Sequence, residues 1–354
     1  MAGDDDVREP TWPALLTGLI QGRDQSAETT AWAMEQILDG VATPAQMAAF
    51  LVALRAKGET VEELTGLSRT MVRFATRIEV AGPALDIVGS GGDRAGTVNI
   101  STMAAIVAAA AGCRVVKHGN RAASSACGAA DLLEELGLVL DLSPEQQQRV
   151  IAQAGIGFLF AAHYHPAFRH AGPVRRELGV PTAFNFLGPL TNPAQPSAVA
   201  VGVADPRMAG LLAGVFAARG QQGLVFHGDD GLDELTTTTT SKLWVFGRGE
   251  PLREVEFDPA DLGLPRARPE DLVGGTPAVN AKIARDVLSG ASGPVRDIVL
   301  LNAAAGLTAW DGPRPDRLQE QLAGNLERVA GAIDTGGAAA QLEQWVSLTQ
   351  AGRN

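Results

Sequence analysis

The feature that most constrains this chain is a short apolar run that empties into glycine. Leu85–Val88 leads directly into Gly89-Ser90-Gly91-Gly92-Asp93. An Ala-rich stretch, Thr102–Ala111, then reads as a helix, and Arg114–Lys117 as a second strand. Strand, glycine turn, helix, strand is the order of a parallel α/β unit. The same order recurs in Ala198–Val203, Arg207–Arg219 and Gly223–His227.

The first 80 residues follow another pattern. Apolar residues fall at helical spacing in Trp12–Ile20, Ser26–Asp39, Pro44–Lys57 and Thr60–Phe74. Thr43 caps a helix with Pro44 at its first position, and Gly40 and Gly58 break the run into short antiparallel pieces. His163–Gly179 is helical, polar and flanked by Pro166, Pro173 and Pro181, as an excursion back to this part would be. With 354 residues, one large domain plus a smaller one fits the usual size of roughly 100–200 residues per domain. The expected fold is therefore α/β: a small all-helical domain over 1–80, with a returning segment near 165–190, and a large α/β domain over 81–354 around a mostly parallel sheet. Leu15, Met34, Phe50 and Leu51 read as lying on more than one face of the helical part, which predicts self-association there. Thr236–Thr240 suits a strand or its approach, Trp244–Phe257 a β element, and Asn280–Ser289 and Pro294–Gly306 helices.

Composition removes several classes of function. The net charge is -11, so there is no global attraction to nucleic acid, although a local basic pocket can still hold anions. No apolar run reaches the ~18–20 residues of a membrane span. The acidic start, Met1–Asp6, argues against a secretory signal. Cys113 and Cys127 match no zinc spacing and no disulfide framework, which points to a reducing cytoplasm.

Three motifs carry chemistry. In the first, Gly89–Asp93 is followed by Thr97, Asn99, Ser101 and Thr102. Glycines admit positive φ and close approach of a ligand to backbone N–H groups, and the next helix adds its positive N-terminus. An ordinary capped strand–helix turn has the same look. There is no Gly-Lys-Ser/Thr for a Walker loop, and the glycine spacing is wrong for a dinucleotide fingerprint. The second motif, Lys117-His118-Gly119-Asn120-Arg121-Ala122-Ala123-Ser124-Ser125, lies at a strand's C-terminal end, where ligands collect in open α/β sheets. Its cations, amide and hydroxyls suit phosphate. The third, His227-Gly228-Asp229-Asp230-Gly231-Leu232-Asp233-Glu234-Leu235, sets four carboxylates within six residues, which repel unless solvent or a cation relieves them. Adjacent Asp233 and Glu234 fit Mg²⁺, which commonly takes one or two carboxylates plus substrate phosphates. Each motif follows a predicted strand, so all three gather at one sheet edge. Together they describe a site for a pyrophosphate-bearing sugar.

With these residues in view, the chain resembles the anthranilate phosphoribosyltransferases of tryptophan biosynthesis from Gly18 to about Gly306. The sharp points are GSGGD at 89–93, NIST at 99–102, KHGNRAASS at 117–125, HPAFRHAGPVRRELG at 165–179, FNFLGPLTNP at 184–193 and GDDGLDELTTTTTS at 228–241. The resemblance implies a homodimer joined through small helical domains, with the active site in the interdomain cleft. It implies that Gly89, Gly92, Asp93, Thr97, Asn99, Ile100, Ser101, Thr102, the run from Lys117 through His118, Gly119, Asn120, Arg121, Ala122, Ala123 and Ser124 to Ser125, and Ala129 hold 5-phosphoribosyl 1-pyrophosphate. Ser101, Asp233 and Glu234 would bind Mg²⁺, and Gly89, Asn120 and Arg175 would contact anthranilate. Lys117, Asn120, Asp233 and Glu234 would carry the catalysis. By itself Arg175 reads as a surface helix charge; a planar guanidinium nevertheless suits a carboxylate. Ser90 stands where Thr is usual, and Ala126 and Cys127 where many relatives have Lys and Ser. A pyrimidine nucleoside phosphorylase shares the architecture without Mg²⁺, and the acidic segment counts against it. A nucleic-acid-binding relative of the same fold would need a basic surface.

Overall fold

The structure, a computed structural model, describes residues 9–122, 126–247 and 249–352. The chain divides into two units. One joins the N-terminal residues through Ala75 to His165–Leu187; the other comprises Thr76–Tyr164 and the chain from Gly188 onward.

The first unit contains helices at Trp12–Ile20, Ala27–Leu38, Pro44–Lys57 and Val61–Arg73. Their starts are chemically marked. Thr43 Oγ1 accepts the Gln46 N–H, and the Gln46 side chain accepts the Thr43 N–H in return. Thr60 and Glu63 form the same reciprocal box. Glu63 also accepts from Gln25 N at 2.9 Å and from Lys57 Nζ at 3.1 Å, so one buried carboxylate ties three segments. Ala27–Leu38 and Val61–Arg73 cross closely at Gly66, where a Cβ would stand 2.1 Å from the Ala27 carbonyl oxygen.

The returning segment supplies a 3-10 turn, Pro166–Ala171, and a helix, Gly172–Leu178. The turn packs on Ala27–Leu38, and the helix packs on Pro44–Lys57. This added layer corrects one expectation. Leu15, Met34, Phe50 and Leu51 are all at most 2% exposed in the single chain, so they require no partner copy. The apolar side chains left in solvent on this unit include Ile20 at 78% and Val41 at 64%.

The second unit is built on one seven-stranded sheet: β1 Leu85–Gly89, β2 Val115–Gly119, β3 Ile156–Phe160, β4 Ala198–Gly202, β5 Gln222–Gly228, β6 Ser241–Gly247 and β7 Glu250–Phe257. The order across the sheet is β3-β2-β1-β4-β5-β6-β7. β1 to β5 are mutually parallel, and β6 and β7 extend the sheet as an antiparallel hairpin. Its core includes the helix Ile100–Ala110, where every residue from Met103 to Ala108 is buried, and the helix Pro294–Asp311, buried from Ile298 to Ala309. Alanine-rich surfaces let these two helices pack closely on each other and on the strands.

The β element expected at Trp244–Phe257 is a pair of strands with a turn between them. Residues 236–240 are an irregular approach to β6, bent at 237–239, rather than a strand. β3 and the helices Ala129–Glu135, Pro144–Ala154, Leu318–Asp334 and Gly337–Gly352 have no counterpart in the sequence reading. Among the described residues no helix is long and apolar enough to cross a membrane.

Candidate active site

Counting outward from the centre, the parallel strands run β1, β2, β3 in one direction and β4, β5 in the other. The crevice at the C-terminal ends of β1 and β4 is therefore a topological switch point, where open α/β sheets bind ligands. Both strands end in glycine, Gly89 and Gly202, and the acidic loop after β5 lies directly on them. A Cβ on Gly202 would stand 1.7 Å from the Asp233 carbonyl oxygen, and one on Gly89 would stand 2.3 Å from Asp233 Oδ2. Gly91 N donates to Asp233 Oδ2 at 2.5 Å. Gly91 and Gly92 have φ of 73° and 94°, a region that glycine enters without penalty. Ser90 keeps a hydroxyl in the turn, and its Oγ accepts the Ala204 N–H at 3.1 Å.

The four carboxylates of the third motif separate into two pairs. Asp230 Oδ2 accepts from the hydroxyls of Thr236, at 2.6 Å, and Thr238, while the Asp229 carboxylate accepts from the Thr240 hydroxyl. The threonine run thus absorbs the outer charges. The inner pair, Asp233 and Glu234, is buried. Glu234 Oε1 accepts from Ser101 N at 3.1 Å, and Glu234 Oε2 is buried without a hydrogen-bond partner among the described residues. Burial, then the charge of nearby Asp93, pushes the Asp233 carboxyl up to about 7. Burial, then the Asp233 charge, pushes Glu234 up to about 8.

Lys117 enters this site from below. It is 2% exposed, and its ammonium donates to the Ile87 carbonyl and, at 3.2 Å, to Ser101 Oγ. Burial lowers its pKa, opposed by the charges of Asp86, Glu234 and Asp233. Thr102 and Ile100 are buried in the first turn of the helix after the glycine loop, whose N-cap, Asn99, makes no side-chain cap. Thr97 bridges to Val273, and the Asn99 amide donates to the Cys127 carbonyl at 3.0 Å.

The second loop is held differently from the first. His118 is buried, with Nδ1 3.0 Å from the Gly188 carbonyl oxygen. Gly119 ends β2, and Asn120, in solvent, accepts the Arg121 N–H at 2.8 Å. The Arg121 guanidinium is engaged by Asp131 and by both oxygens of Glu134, and it sits over the Phe160 ring. Asp131 Oδ2 accepts from Ala122 N at 3.0 Å and Gly128 N at 2.9 Å, tying the two flanks of the loop together just before Ala129. Ala123, Ser124 and Ser125 lie outside the described residues. Arg175 belongs to the helical unit. Its guanidinium is 5.2 Å above the Phe168 ring centroid and has no carboxylate partner among the described residues; burial lowers its pKa.

Sequence reasoning missed several buried polar residues that fix the site. Asn302, wholly buried on the helix Pro294–Asp311, accepts from Leu235 N at 3.0 Å and donates to Leu235 O at 2.8 Å, gripping the residue after Glu234. Asp86, on β1, accepts from Asn192 Nδ2 at 2.8 Å and from His118 N at 3.3 Å; burial pushes it up to about 6, opposed first by the Lys117 charge. The available signal was a lone amide or carboxylate inside an apolar run. Among the described residues no group of three or more His, Cys, Asp or Glu could hold a metal ion by itself.

The chain matches two family models: the glycosyl transferase family α/β domain over residues 81–339 and the glycosyl transferase family helical bundle domain over residues 13–75. It is 60% identical over 344 residues to the anthranilate phosphoribosyltransferase of Acidothermus cellulolyticus, covering 97% of each chain. Among solved structures, the Thermus thermophilus anthranilate phosphoribosyltransferase superposes with a TM-score of 0.87 at 41% identity, covering 95% of this chain and 99% of that one. The Saccharomyces cerevisiae enzyme in complex with PRPP and Mg superposes with a TM-score of 0.86 at 25% identity, covering 96% and 98%. With matches of this identity running nearly end to end, the chain belongs to the anthranilate phosphoribosyltransferase family.

Proposed function

We propose that this chain transfers the phosphoribosyl group of 5-phosphoribosyl 1-pyrophosphate to the amine of anthranilate, releasing pyrophosphate, in tryptophan biosynthesis. The observation that carries this reading is the buried Asp233–Glu234 pair at the switch point, with Glu234 Oε2 unpartnered among the described residues, beside Ser101 and Lys117. Two carboxylates and a hydroxyl are too few to enclose an ion, but they suit Mg²⁺ that shares the oxygens of a pyrophosphate. The residues fit such an ion: Asp233, Glu234 and Ser101 would hold it. When bound, it neutralises charge developing on the leaving pyrophosphate.

The protein's own groups account for the rest. The aromatic amine is neutral at pH 7, so its lone pair attacks C1 of the ribose without a dedicated base. The C1–O bond breaks, the electron pair leaves on pyrophosphate, and the proton shed by the new C–N nitrogen passes to solvent. Lys117 supports that charge from beneath Ser101, and the uncapped N-terminus of Ile100–Ala110 adds partial positive charge. Gly89, Gly92, Asp93, Thr97, Asn99 and the loop from Lys117 are the donor's contacts in this reading, with Asn120 and Gly89 also touching the acceptor. Arg175 takes the anthranilate carboxylate; a half-buried guanidinium over an aromatic ring, with no carboxylate partner among the described residues, supports the role. Arg121, already held by Asp131 and Glu134, would serve the donor chiefly by shaping the loop.

The enzyme is proposed to be a cytoplasmic homodimer joined through its helical unit. Two buried free thiols and the exposed Ile20 and Val41 support this. The test of the reaction is direct. The chain is mixed with anthranilate, 5-phosphoribosyl 1-pyrophosphate and Mg²⁺, and the fluorescence change on product formation is followed. No change relative to a donor-free control overturns the proposal.

A further inference from the structure

Asn280 lies in the first turn of the helix Pro277–Leu288 and is 3% exposed. Both ends of its amide are used. Oδ1 accepts the Gly275 N–H at 2.7 Å, and Nδ2 donates to Asn99 Oδ1 at 2.9 Å. Asn99 in turn donates its own amide to the Cys127 carbonyl at 3.0 Å. The relay Gly275, Asn280, Asn99, Cys127 therefore joins three segments far apart in sequence. Two of them are the loops on either side of Ser101 and Lys117.

The segment before Asn280 is built for this contact. Gly274 N donates to Gly96 O at 2.9 Å, and Val98 N donates to Leu272 O at 3.0 Å, so residues 272–274 run along the outer side of the glycine-rich loop. A Cβ on Gly274 would stand 2.7 Å from Asn280 Oδ1 and 3.0 Å from Val98 N. The missing side chain lets helix, wall and loop meet. The Asn99 amide is committed to the bridge through both its oxygen and its nitrogen.

We propose that Asn280 is a positioning residue for the pyrophosphate donor: acting through Asn99, it fixes the distance between the glycine-rich loop and the Cys127–Gly128 end of the second loop. The inference rests on the donor site described under Proposed function. A ligand that spans two loops needs their spacing held before it binds, and a misplacement of about 1 Å can cost on the order of 100-fold in rate. Anthranilate depends chiefly on Arg175, which lies outside this relay.

The test uses the full-length chain. Asn280→Asp keeps the acceptor for Gly275 N but replaces the donor to Asn99 with a second acceptor. Its donor KM is expected to rise about tenfold, equivalent to ~1.4 kcal/mol. The anthranilate KM should stay within about twofold, the scale of an unperturbed contact. Asn280→Ala, which adds no charge, should show the same bias if the aspartate variant folds poorly. Calorimetric titration with inorganic pyrophosphate and Mg²⁺ should weaken in parallel. In a cycle with Asn99→Ala, the double variant should be no worse than Asn99→Ala alone, because both changes cut one relay. Equal rises in both KM values, an unchanged donor KM or strict additivity overturns the relay. An inactive wild-type chain overturns the phosphoribosyl-transfer reading instead, and the two failures are distinct.

Discussion

At the scale of single residues, burial holds the Asp233 and Glu234 carboxyls at about 7 and about 8, against ordinary values of 3.8 and 4.5. Between those limits the native state binds more protons than the unfolded chain. Their contribution to stability is therefore complete below about pH 4 and is lost as pH rises through 7 to 8. For the ligand-free protein, Asp233→Asn/Glu234→Gln should flatten the fall in Tm between pH 5 and pH 8.5 while removing most activity. Parallel Tm profiles for variant and parent would overturn the burial argument. A second expectation separates the substrates. Arg175→Ala should raise the anthranilate KM by about 10–150-fold, the loss of a charge-assisted hydrogen bond worth ~1.5–3 kcal/mol, and leave the donor KM nearly unchanged. Lys117→Ala should show the opposite bias, and steady-state kinetics in both substrates decides between them. Asp233 and Glu234 were legible because charge density is visible in sequence. Asn302, Asp86 and Asn280 were not, because a buried amide or carboxylate on an apolar element has no motif; its partners are backbone groups or residues distant in sequence.

At the scale of elements, the glycines that end β1 and β4 set how low the acidic loop can sit. Gly202→Ala drives a Cβ into the Asp233 backbone, where nothing flexible can yield. It should cost about 1–3 kcal/mol, as overpacking does, and lower activity with it. Gly324→Ala is the matched control. Gly324 is exposed in the helix Leu318–Asp334 with nothing near the added Cβ, so this change should stabilise by about 0.5–1 kcal/mol. Thermal melts of the two variants should move in opposite directions. The sequence marked the N-terminal helices well because their starts carry Thr43–Gln46 and Thr60–Glu63 boxes. It marked β1, β2 and β5 because each empties into glycine or charge. β3 escaped because Ile156–Phe160, wholly buried, runs on into Ala161-Ala162 with no glycine or charge to mark its end. The threonine run at 236–240 shows the limit of propensity: its hydroxyls cap Asp229 and Asp230, and that contact outweighs the preference for a strand.

At the scale of the whole molecule, the proposed dimer can no longer rest on Leu15, Met34, Phe50 and Leu51, which the single chain buries. It rests on the side chains still in solvent. Light scattering at micromolar concentration should give twice the 36.8 kDa chain mass, and Ile20→Asp should shift the protein toward monomer. A monomeric parent would remove the proposal. The alternation of helical and α/β patterns made both units readable from sequence. The exact membership of the returning segment was less so, because its short turns have no long periodic stretch. That segment bears on how the gene can be cut. The helical bundle match ends at residue 75, but Gly172–Leu178 and Ala183–Asn185 pack on Pro44–Lys57. A reading frame closed after codon 75, or opened at codon 76, separates partners that fold together and strands Val174 and Phe184, which are otherwise buried. Recombination between relatives must therefore keep both stretches from one parent, because any single crossover between codons 75 and 165 divides the bundle.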